Sequence, residues 1–423
     1  MAIRRSLFTL HNYPTEPKHI LINRNVTFLW LGQLVSQAGD SITHMAVIWL
    51  MLDLTGSPSL TGFIAFAATV PALLFGLFAG VMADHYRRRT LMLISDAARF
   101  LLILTIPLCY AFDLLTPPIL ATIVFITASF GTLFNPSRDA IIPELVQRHQ
   151  LLKINTLMQS TGYLAYFVGL FGAGMILNAI GMSNLFYFDA GTFVVSFVMI
   201  YLIRYPRPVE RPPQYENRHL SELKKGLEYV LHTDRRLFWI ILITALNNLF
   251  IMGPAVVGTP LLIKEVWDGS GRDFAFIEST YGIGMLLSAF VVYRVGKRLK
   301  KGTWLMLALM YDGITYIPLF WVGHLPFDPF WVTICTIFIH SLGIPFIQVT
   351  RTTLIHSIVP GEIQGRVFSM VNLAVIGFMS VSVALTGVVA EVLSARTIFL
   401  IIGIGATLTG VIGLSIRSIR TAD

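Results

Sequence analysis

The sequence predicts an all-α membrane protein whose twelve transmembrane helices form two pseudo-symmetric halves of six. Three observations support this fold class. Of the 423 residues, 55% are hydrophobic and only 13% are charged, whereas about a quarter of the residues in a water-soluble chain are charged. Twelve segments reach the roughly 20 apolar residues that a helix needs to cross the hydrocarbon core. An internal repeat also relates the first half of the chain to the second.

Six apolar segments lie in each half of the chain, and we number them as spans one to twelve. In the first half the predicted bounds are 25–52, 60–83, 90–112, 117–134, 154–180 and 185–203. In the second half they are 237–263, 275–293, 303–322, 330–350, 367–390 and 397–416. The two halves therefore cover 25–203 and 237–416, with a tail of residues 1–24 before the first and a tail of residues 417–423 after the second.

The basic residues are distributed unevenly between the connecting segments. Of the 31 Lys and Arg residues, only Lys264, Arg272 and Arg396 fall in predicted outer loops, and only Arg99 falls within a span. Basic residues concentrate in the cytoplasmic loops of membrane proteins, so both termini are predicted to be cytoplasmic. This distribution also accounts for the net charge of +8 without a nucleic acid partner.

One long connection, residues 204–236, separates the halves. It opens with four prolines, which exclude a helix there, and continues with leucines at helical spacing between charged residues. The second part predicts an amphipathic helix on the cytoplasmic membrane surface. The prolines are Pro206, Pro208, Pro212 and Pro213, and the leucines are Leu220, Leu223 and Leu227.

The internal repeat lies at the cytoplasmic ends of spans four and ten. Residues 136–143 align with residues 349–356 at an offset of 213, which places Arg138 over Arg351. An offset of half the chain indicates that each half is one copy of a six-helix unit.

The connection after span two carries a recognisable motif. Its sequence from Gly80 to Arg89, Gly-Val-Met-Ala-Asp-His-Tyr-Arg-Arg-Arg, resembles the signature Gly-x-Leu-Ala-Asp-Arg-x-Gly-Arg-Arg/Lys of the major facilitator superfamily. Asp84, Arg88 and Arg89 are retained. Further segments make the whole chain similar to the superfamily's drug-efflux branch of macrolide and enterobactin exporters, namely 135–138, 142–146, 223–227 and 365–369.

The resemblance implies a transporter that works by alternating access, with spans one, four, seven and ten around a central cavity. It implies a small-molecule substrate, exchange for protons, and a monomer in the bacterial inner membrane, with the lipid bilayer as its other partner. Neither enzymatic activity nor a cofactor is expected. On span five, the superfamily's antiporter motif appears as Gly169–Gly174, with Leu170 in place of proline.

Span one carries the clearest polar stripe. Gln33, Gln37, Asp40 and His44 follow one another at spacings of 4, 3 and 4 residues, which places them on one face of a helix. A polar face is unfavourable in contact with lipid, so this face of span one must line a cavity or a helix interface. An acid one turn from an imidazole is also a candidate site for a coupled proton.

Other polar residues within spans supply further candidates. Asp96 and Arg99 are neighbours on span three; they form a structural ion pair, or they serve in coupling or in binding a substrate anion. Asp312 on span nine has no evident partner. Asp189 and Glu278 lie near outer helix ends, where we expect them to reach water. Shorter polar stripes supply further cavity candidates, namely Ser129, Thr132, Asn247, Asn248, His340 and Gln348.

The motif after span two predicts a conformational latch. In the resembled family its acid approaches the cytoplasmic start of span eleven, which here contains Arg366. The predicted latch comprises Gly80, Asp84, Arg88, Arg89 and Arg366.

Together with the polar groups in the spans, the resemblance implies a secondary transporter that exports an amphipathic organic compound, such as a drug-like or macrolide-like molecule, by proton antiport. No phosphate-binding loop for ATP and no metal-ligating motif is present in the sequence. Because the predicted cavity spans carry Asp40 and no Lys or Arg in their cores, we expect a neutral or cationic substrate. A siderophore exporter and a lysolipid flippase remain alternatives, as does a membrane receptor that does not transport.

Overall fold

Long helices make up both halves of the molecule in the computed structural model, which describes residues 23–204, 227–295 and 300–422. Those residues contain no β-strand. Spans one to six are the helices Arg24–Thr55, Pro58–His85, Arg88–Ala111, Pro117–Leu145, Leu151–Ile180 and Met182–Tyr201.

In the second half, spans seven, nine and ten are each interrupted. Span seven consists of Arg235–Gly253, a π-helical turn Pro254–Gly258 and Thr259–Trp267; span nine consists of Lys301–Ile314 and the 3₁₀ helix Ile317–Trp321; span ten consists of Pro329–Ser341 and Ile344–Ile358. Each interruption contains a proline. Proline has no backbone N–H to donate to the helix, so the regular hydrogen-bond pattern is broken there. The uninterrupted spans eight, eleven and twelve are Gly271–Val295, Gln364–Val389 and Ala395–Ser415.

The prediction of an all-helical membrane protein is confirmed. Ten helical segments of the described residues are long and apolar enough to cross a membrane. Spans one and eight are helices of 32 and 25 residues, which also exceed the roughly 20 residues that crossing requires. Two predicted bounds are wrong, because span four continues to Leu145 and span ten to Ile358. Arg138 and Arg351 consequently lie within helices.

Most of the predicted linker, and the tail before residue 23, lie outside the described residues. At the end of the linker, Tyr229–Thr233 form a π-helical turn. Asp234 then caps span seven, where its carboxylate accepts a hydrogen bond from the backbone N–H of Arg236 at 2.9 Å. Hydrogen bonds from the Arg236 side chain lower the pKa of Asp234 below its ordinary value.

The halves meet along two helix pairs, span two against span eleven and span five against span eight. The first pair is in backbone contact, since a Cβ added to Gly62 would lie 2.8 Å from the Cα of Gly387. In the second pair, a Cβ on Gly282 would lie 2.5 Å from the backbone nitrogen of Phe167. Glycine is therefore required for the observed closeness at both junctions.

Polar contacts join the halves at the side that we call outer, following the orientation predicted from charge. Lys264 Nζ lies 2.6 Å from Asp53 Oδ1. Glu391 accepts hydrogen bonds of 3.0 Å from the backbone N–H of Ser59 and the hydroxyl of Ser57. The bond from the Ser59 backbone, with the nearby hydroxyls, lowers the pKa of Glu391 below its ordinary value.

Four glycines in the inner part of span two and at the inner start of span eleven have open surroundings. A Cβ added to Gly76, Gly80, Gly361 or Gly365 would meet no heavy atom within 4 Å. The described conformation has its halves joined on the outer side, whereas these inner glycines have no neighbouring atom that an added Cβ would meet.

Candidate functional site

A cavity of about 440 Å³ lies between the halves, within the range of 300 to 1,000 Å³ that is common for ligand pockets. Spans one, five, seven, eight, nine, ten and eleven contribute to its wall. Apolar and aromatic side chains form much of that wall, among them Met45, Ile48, Ile251, Met252, Phe274 and Met285. Such a wall suits an amphipathic organic molecule.

Four polar residues of the second half form one buried group at the cavity wall. Asn247 donates a hydrogen bond of 2.7 Å to Asp312, and His340 Nε2 lies 3.6 Å from the other carboxylate oxygen of Asp312. The second ring nitrogen of His340 lies 3.0 Å from the hydroxyl of Thr315. Asp312, for which the sequence suggested no partner, is therefore an acid that lines the cavity beside two predicted residues, Asn247 and His340.

Glu278 also lines the cavity, so the expectation that it reaches outer water is wrong. The residue is 7% exposed. Its Oε2 accepts a hydrogen bond of 2.6 Å from the hydroxyl of Tyr166, which belongs to the other half. The hydroxyls of Tyr281 and Tyr316 lie 2.5 Å apart on the same wall. Glu278 is thus a buried acid among tyrosines.

A basic residue, Arg351, lines the cavity as well. Within the described residues it makes no hydrogen bond or ion pair. Its counterpart in the repeat, Arg138, donates to Gln33 at 3.1 Å and pairs with Asp139 at 2.8 Å. The repeat places Thr352 at the position of Asp139, so the acidic neighbour is lost. The premise that the cavity spans carry no basic residue in their cores is therefore wrong.

In the first half, a second charged cluster surrounds Arg99. Its Nη1 lies 3.1 Å from Asp40 Oδ1, and its Nη2 lies 2.9 Å from Asp96 Oδ1. Asp96 also accepts a hydrogen bond of 2.7 Å from Ser196, and the Arg99 guanidinium lies 4.3 Å from the ring centroid of Phe193. Arg99 therefore provides a positive charge to the acids of spans one and three together.

Asp189 on span six is fully buried, so the expectation that it reaches water is wrong too. Its Oδ2 accepts a hydrogen bond of 2.5 Å from the hydroxyl of Thr43. A Cβ added to Gly39 would collide with the Asp189 carboxylate. Close packing of span six on span one therefore encloses this acid.

The structure brings only some of the predicted site residues together. Gln33 and Gln37 bond to each other at 2.9 Å, while the hydroxyls of Ser129 and Thr132 donate to carbonyl groups of their own helix at 2.7 Å. These four residues and Asp40 do not line the cavity. Those that do are His44, Asn247, Asn248, Asp312, His340 and Gln348.

Two basic residues of the predicted latch, Arg88 and Arg89, make contacts within the first half. Arg88 is buried and forms an ion pair with Glu144 at the end of span four. Arg89 donates to backbone carbonyl groups at the end of span six. Both residues fix the start of span three, and the contact between Asp84 and Arg366 remains a prediction.

Several cavity residues were missed from the sequence, although a signal for some of them was present. On span eight, Phe274, Glu278, Tyr281 and Met285 follow at spacings of 4, 3 and 4 residues, the pattern of the stripe on span one, and all four line the cavity. Arg351 was missed because span ten was predicted to end before it.

Two helical halves that meet at one membrane side and enclose a cavity define a membrane carrier. In residues 23–204, 227–295 and 300–422, no group of three or more His, Cys, Asp or Glu side chains is arranged to hold a metal ion. A sequence profile described as the Major Facilitator Superfamily matches residues 29–381. The chain belongs to the major facilitator superfamily, and the resemblance drawn from its motifs is confirmed.

Named relatives of similar length belong to the drug-efflux branch. Macrolide efflux protein A of Streptococcus pyogenes is 25% identical over 398 residues, which cover 93% of this chain and 96% of that protein. The multidrug efflux pump Tap of Mycolicibacterium fortuitum is 23% identical over 405 residues, or 92% and 95% of the two chains.

Solved structures share the fold at low sequence identity. The nucleoside transporter NupG matches with a TM-score of 0.76 at 10% identity, over 92% of this chain and 98% of that one. A bacterial homologue of the iron transporter ferroportin, in an inward-facing state, matches with a TM-score of 0.70 at 15% identity, over 94% and 99% of the chains.

Proposed function

We propose that this transporter exports an amphipathic organic compound from the bacterial cell by alternating access, in exchange for protons. The observation that carries the proposal is the cavity of about 440 Å³ between the halves, with a largely apolar wall and a few buried polar groups. The names of the relatives, a macrolide efflux protein and a multidrug efflux pump, support the outward direction and the drug-like substrate.

The charged residues of the cavity favour a neutral or cationic substrate. The cavity wall contains two acids, Glu278 and Asp312, and one basic residue, Arg351. Arg351 is also the one observation that favours the alternative substrates, an anionic siderophore or a lysolipid, because a guanidinium binds carboxylate and phosphate groups well. Arg351→Gln separates the two cases: transport of cations should persist or improve, whereas transport of an anion should fall at least tenfold.

Proton exchange requires a group that changes its charge during the cycle. The candidates from the sequence are Asp40, His44, Asp96, Arg99 and Asp312. Asp40 and Asp96 share the positive charge of Arg99, whereas His44 and Asp312 line the cavity. Among these sequence candidates, His44 and Asp312 are therefore better placed to exchange protons with water and to respond to a substrate.

We further propose a monomer in the bacterial inner membrane with both termini in the cytoplasm. The distribution of Lys and Arg residues supports this orientation. The outer contacts Lys264–Asp53 and Glu391–Ser59 would then face the periplasm.

The test is transport by the purified protein in proteoliposomes. Drugs, siderophores and lysolipids are screened with and without an imposed pH gradient. Saturable movement of amphipathic cations or neutral compounds that the gradient drives uphill is expected. Saturable movement of siderophores or lysolipids alone would favour an alternative substrate, and binding without movement would indicate a receptor. Movement that ignores the gradient would contradict proton antiport.

A further inference from the structure

The carboxyl group of Glu278 lies where spans five and eight join the two halves. Its Oε2 accepts the hydrogen bond from Tyr166 across this junction at 2.6 Å. Its other oxygen, Oε1, is enclosed and has no hydrogen-bond partner among the described residues. In an ionised Glu278, one carboxylate oxygen would therefore accept a hydrogen bond and the other would accept none.

One cation, Arg351 of span ten, lines the same cavity as Glu278 but forms no ion pair with it. Tyr166 faces Glu278 from span five, and Tyr281 and Tyr316 lie on the same wall from spans eight and nine. His44 of span one and the pair of Asp312 and His340 also line this cavity. Within the part of the chain that the structure describes, Glu278 makes no ion pair. Enclosing an ionised carboxylate under these conditions is costly, and a bound proton removes that cost.

The junction beside Glu278 is one that must open during alternating access. Phe167 packs against the backbone of Gly282, and the ring of Phe276 packs against Gly174. When the outer side opens, spans five and eight must separate here. The bond from Tyr166 then breaks, and the carboxyl group meets water from outside. In the described conformation the same group lines the cavity between the halves.

We propose that Glu278 binds the coupled proton and that this proton permits the outer junction to close. The inference rests on the proposed proton antiport and adds the residue and the step. Outer water supplies the proton while the junction is open, and the neutral carboxyl group is enclosed when spans five and eight meet. The proton then leaves to cavity water, which restores the carboxylate and favours reopening of the outer side. Only the O–H bond of the carboxyl group forms and breaks.

The test follows the outer junction directly and needs no substrate. Cys109 and Cys335 are first replaced, and spin labels are placed at two exposed outer positions, Leu60→Cys on span two and Val392→Cys just after the end of span eleven. Distances between the labels give the ratio of outer-closed to outer-open molecules. Between pH 8 and pH 5.5, acidification should raise this ratio, by up to tenfold per pH unit for one linked proton.

The variant Glu278→Gln keeps the shape and the acceptor for Tyr166 but cannot ionise. It should remain outer-closed at every pH in this range. The control Glu362→Gln makes the same chemical change at an inner position away from the junction and should behave like the wild type. A second variant, Tyr166→Phe, should move the midpoint of closure to lower pH and keep its steepness, because the closed state loses one hydrogen bond.

Three outcomes overturn the proposal. A pH response in Glu278→Gln equal to that of the wild type excludes this residue while leaving proton antiport intact. A response lost in Asp312→Asn but kept in Glu278→Gln moves the proton to the other cavity acid. A wild-type ratio that does not change with pH contradicts proton antiport itself, and the inference with it.

Discussion

The backbone contact between Gly62 and Gly387 makes the balance between outer-closed and outer-open forms sensitive to a single methyl group. In Gly62→Ala, the added Cβ would lie 2.8 Å from the Cα of Gly387 and 2.8 Å from the carbonyl oxygen of Val383, whereas ordinary contacts begin at 3.4 Å. Spans two and eleven must therefore move apart. Overpacking of this kind costs about 1 to 3 kcal/mol, and only the outer-closed form bears this cost.

This cost should raise the ratio of outer-open to outer-closed molecules by about 5- to 150-fold. The spin labels at Leu60→Cys and Val392→Cys measure it as a larger share of long distances. Gly76→Ala is the matched control, because it adds the same methyl group to the same helix where no heavy atom lies within 4 Å. An unchanged distance distribution in folded Gly62→Ala protein would refute the argument that this contact limits outer closure.

Three further predictions concern charged residues. Arg99→Met leaves the buried Asp96 without a cation and should lower the free energy of unfolding by about 3 to 5 kcal/mol. Asp40→Asn changes a side chain that is 45% exposed and should lower it by under about 1 kcal/mol. Thermal unfolding in detergent compares the two variants. Asp84→Asn should favour inward-facing molecules. The loss of a charge-assisted contact of about 1 to 3 kcal/mol shifts the ratio of inward-facing to outward-facing molecules by about one to two powers of ten. A distribution of label distances equal to that of the wild type would exclude the latch. The pKa of Glu391 is lowered from 4.5, so the contact between Glu391 and span two stabilises the closed outer side above pH 4.5. This contact weakens as the pH falls through the lowered pKa, and the outer side should then open. Glu391→Gln should abolish this acid-induced opening below pH 4.5.

The helical fold was predictable from the sequence because the membrane imposes a simple rule. A segment that crosses the hydrocarbon must satisfy its own backbone hydrogen bonds, so apolar length alone locates most spans. Apolar length alone misplaces the ends of spans four and ten, however. Arg138 and Arg351 are basic, and basic residues usually mark loops, but each lies in a helix that continues past the apolar stretch.

The site was less predictable, because helical spacing gives the face of a residue but not its neighbour. The stripe on span one correctly indicated a polar surface, yet Asp40 meets Arg99 while His44, one turn further on, reaches the cavity. From its sequence position, Glu278 lies near an outer helix end, where a side chain is expected to reach water. Only the packing of span five on span eight, which no local pattern records, encloses it.

The two halves place their charges differently, and this difference bears on mechanism. In the first half, Arg138 bonds to Gln33 and Asp139, and Arg99 bonds to two acids. Both cations are thereby compensated inside the half. In the second half, Arg351 has no such partner in the described residues, and the buried acids line the cavity. A charge that its own half does not compensate responds most strongly to a ligand, a proton or water. We therefore expect the first half to act mainly as a fixed wall, and recognition and coupling to depend mainly on the second half.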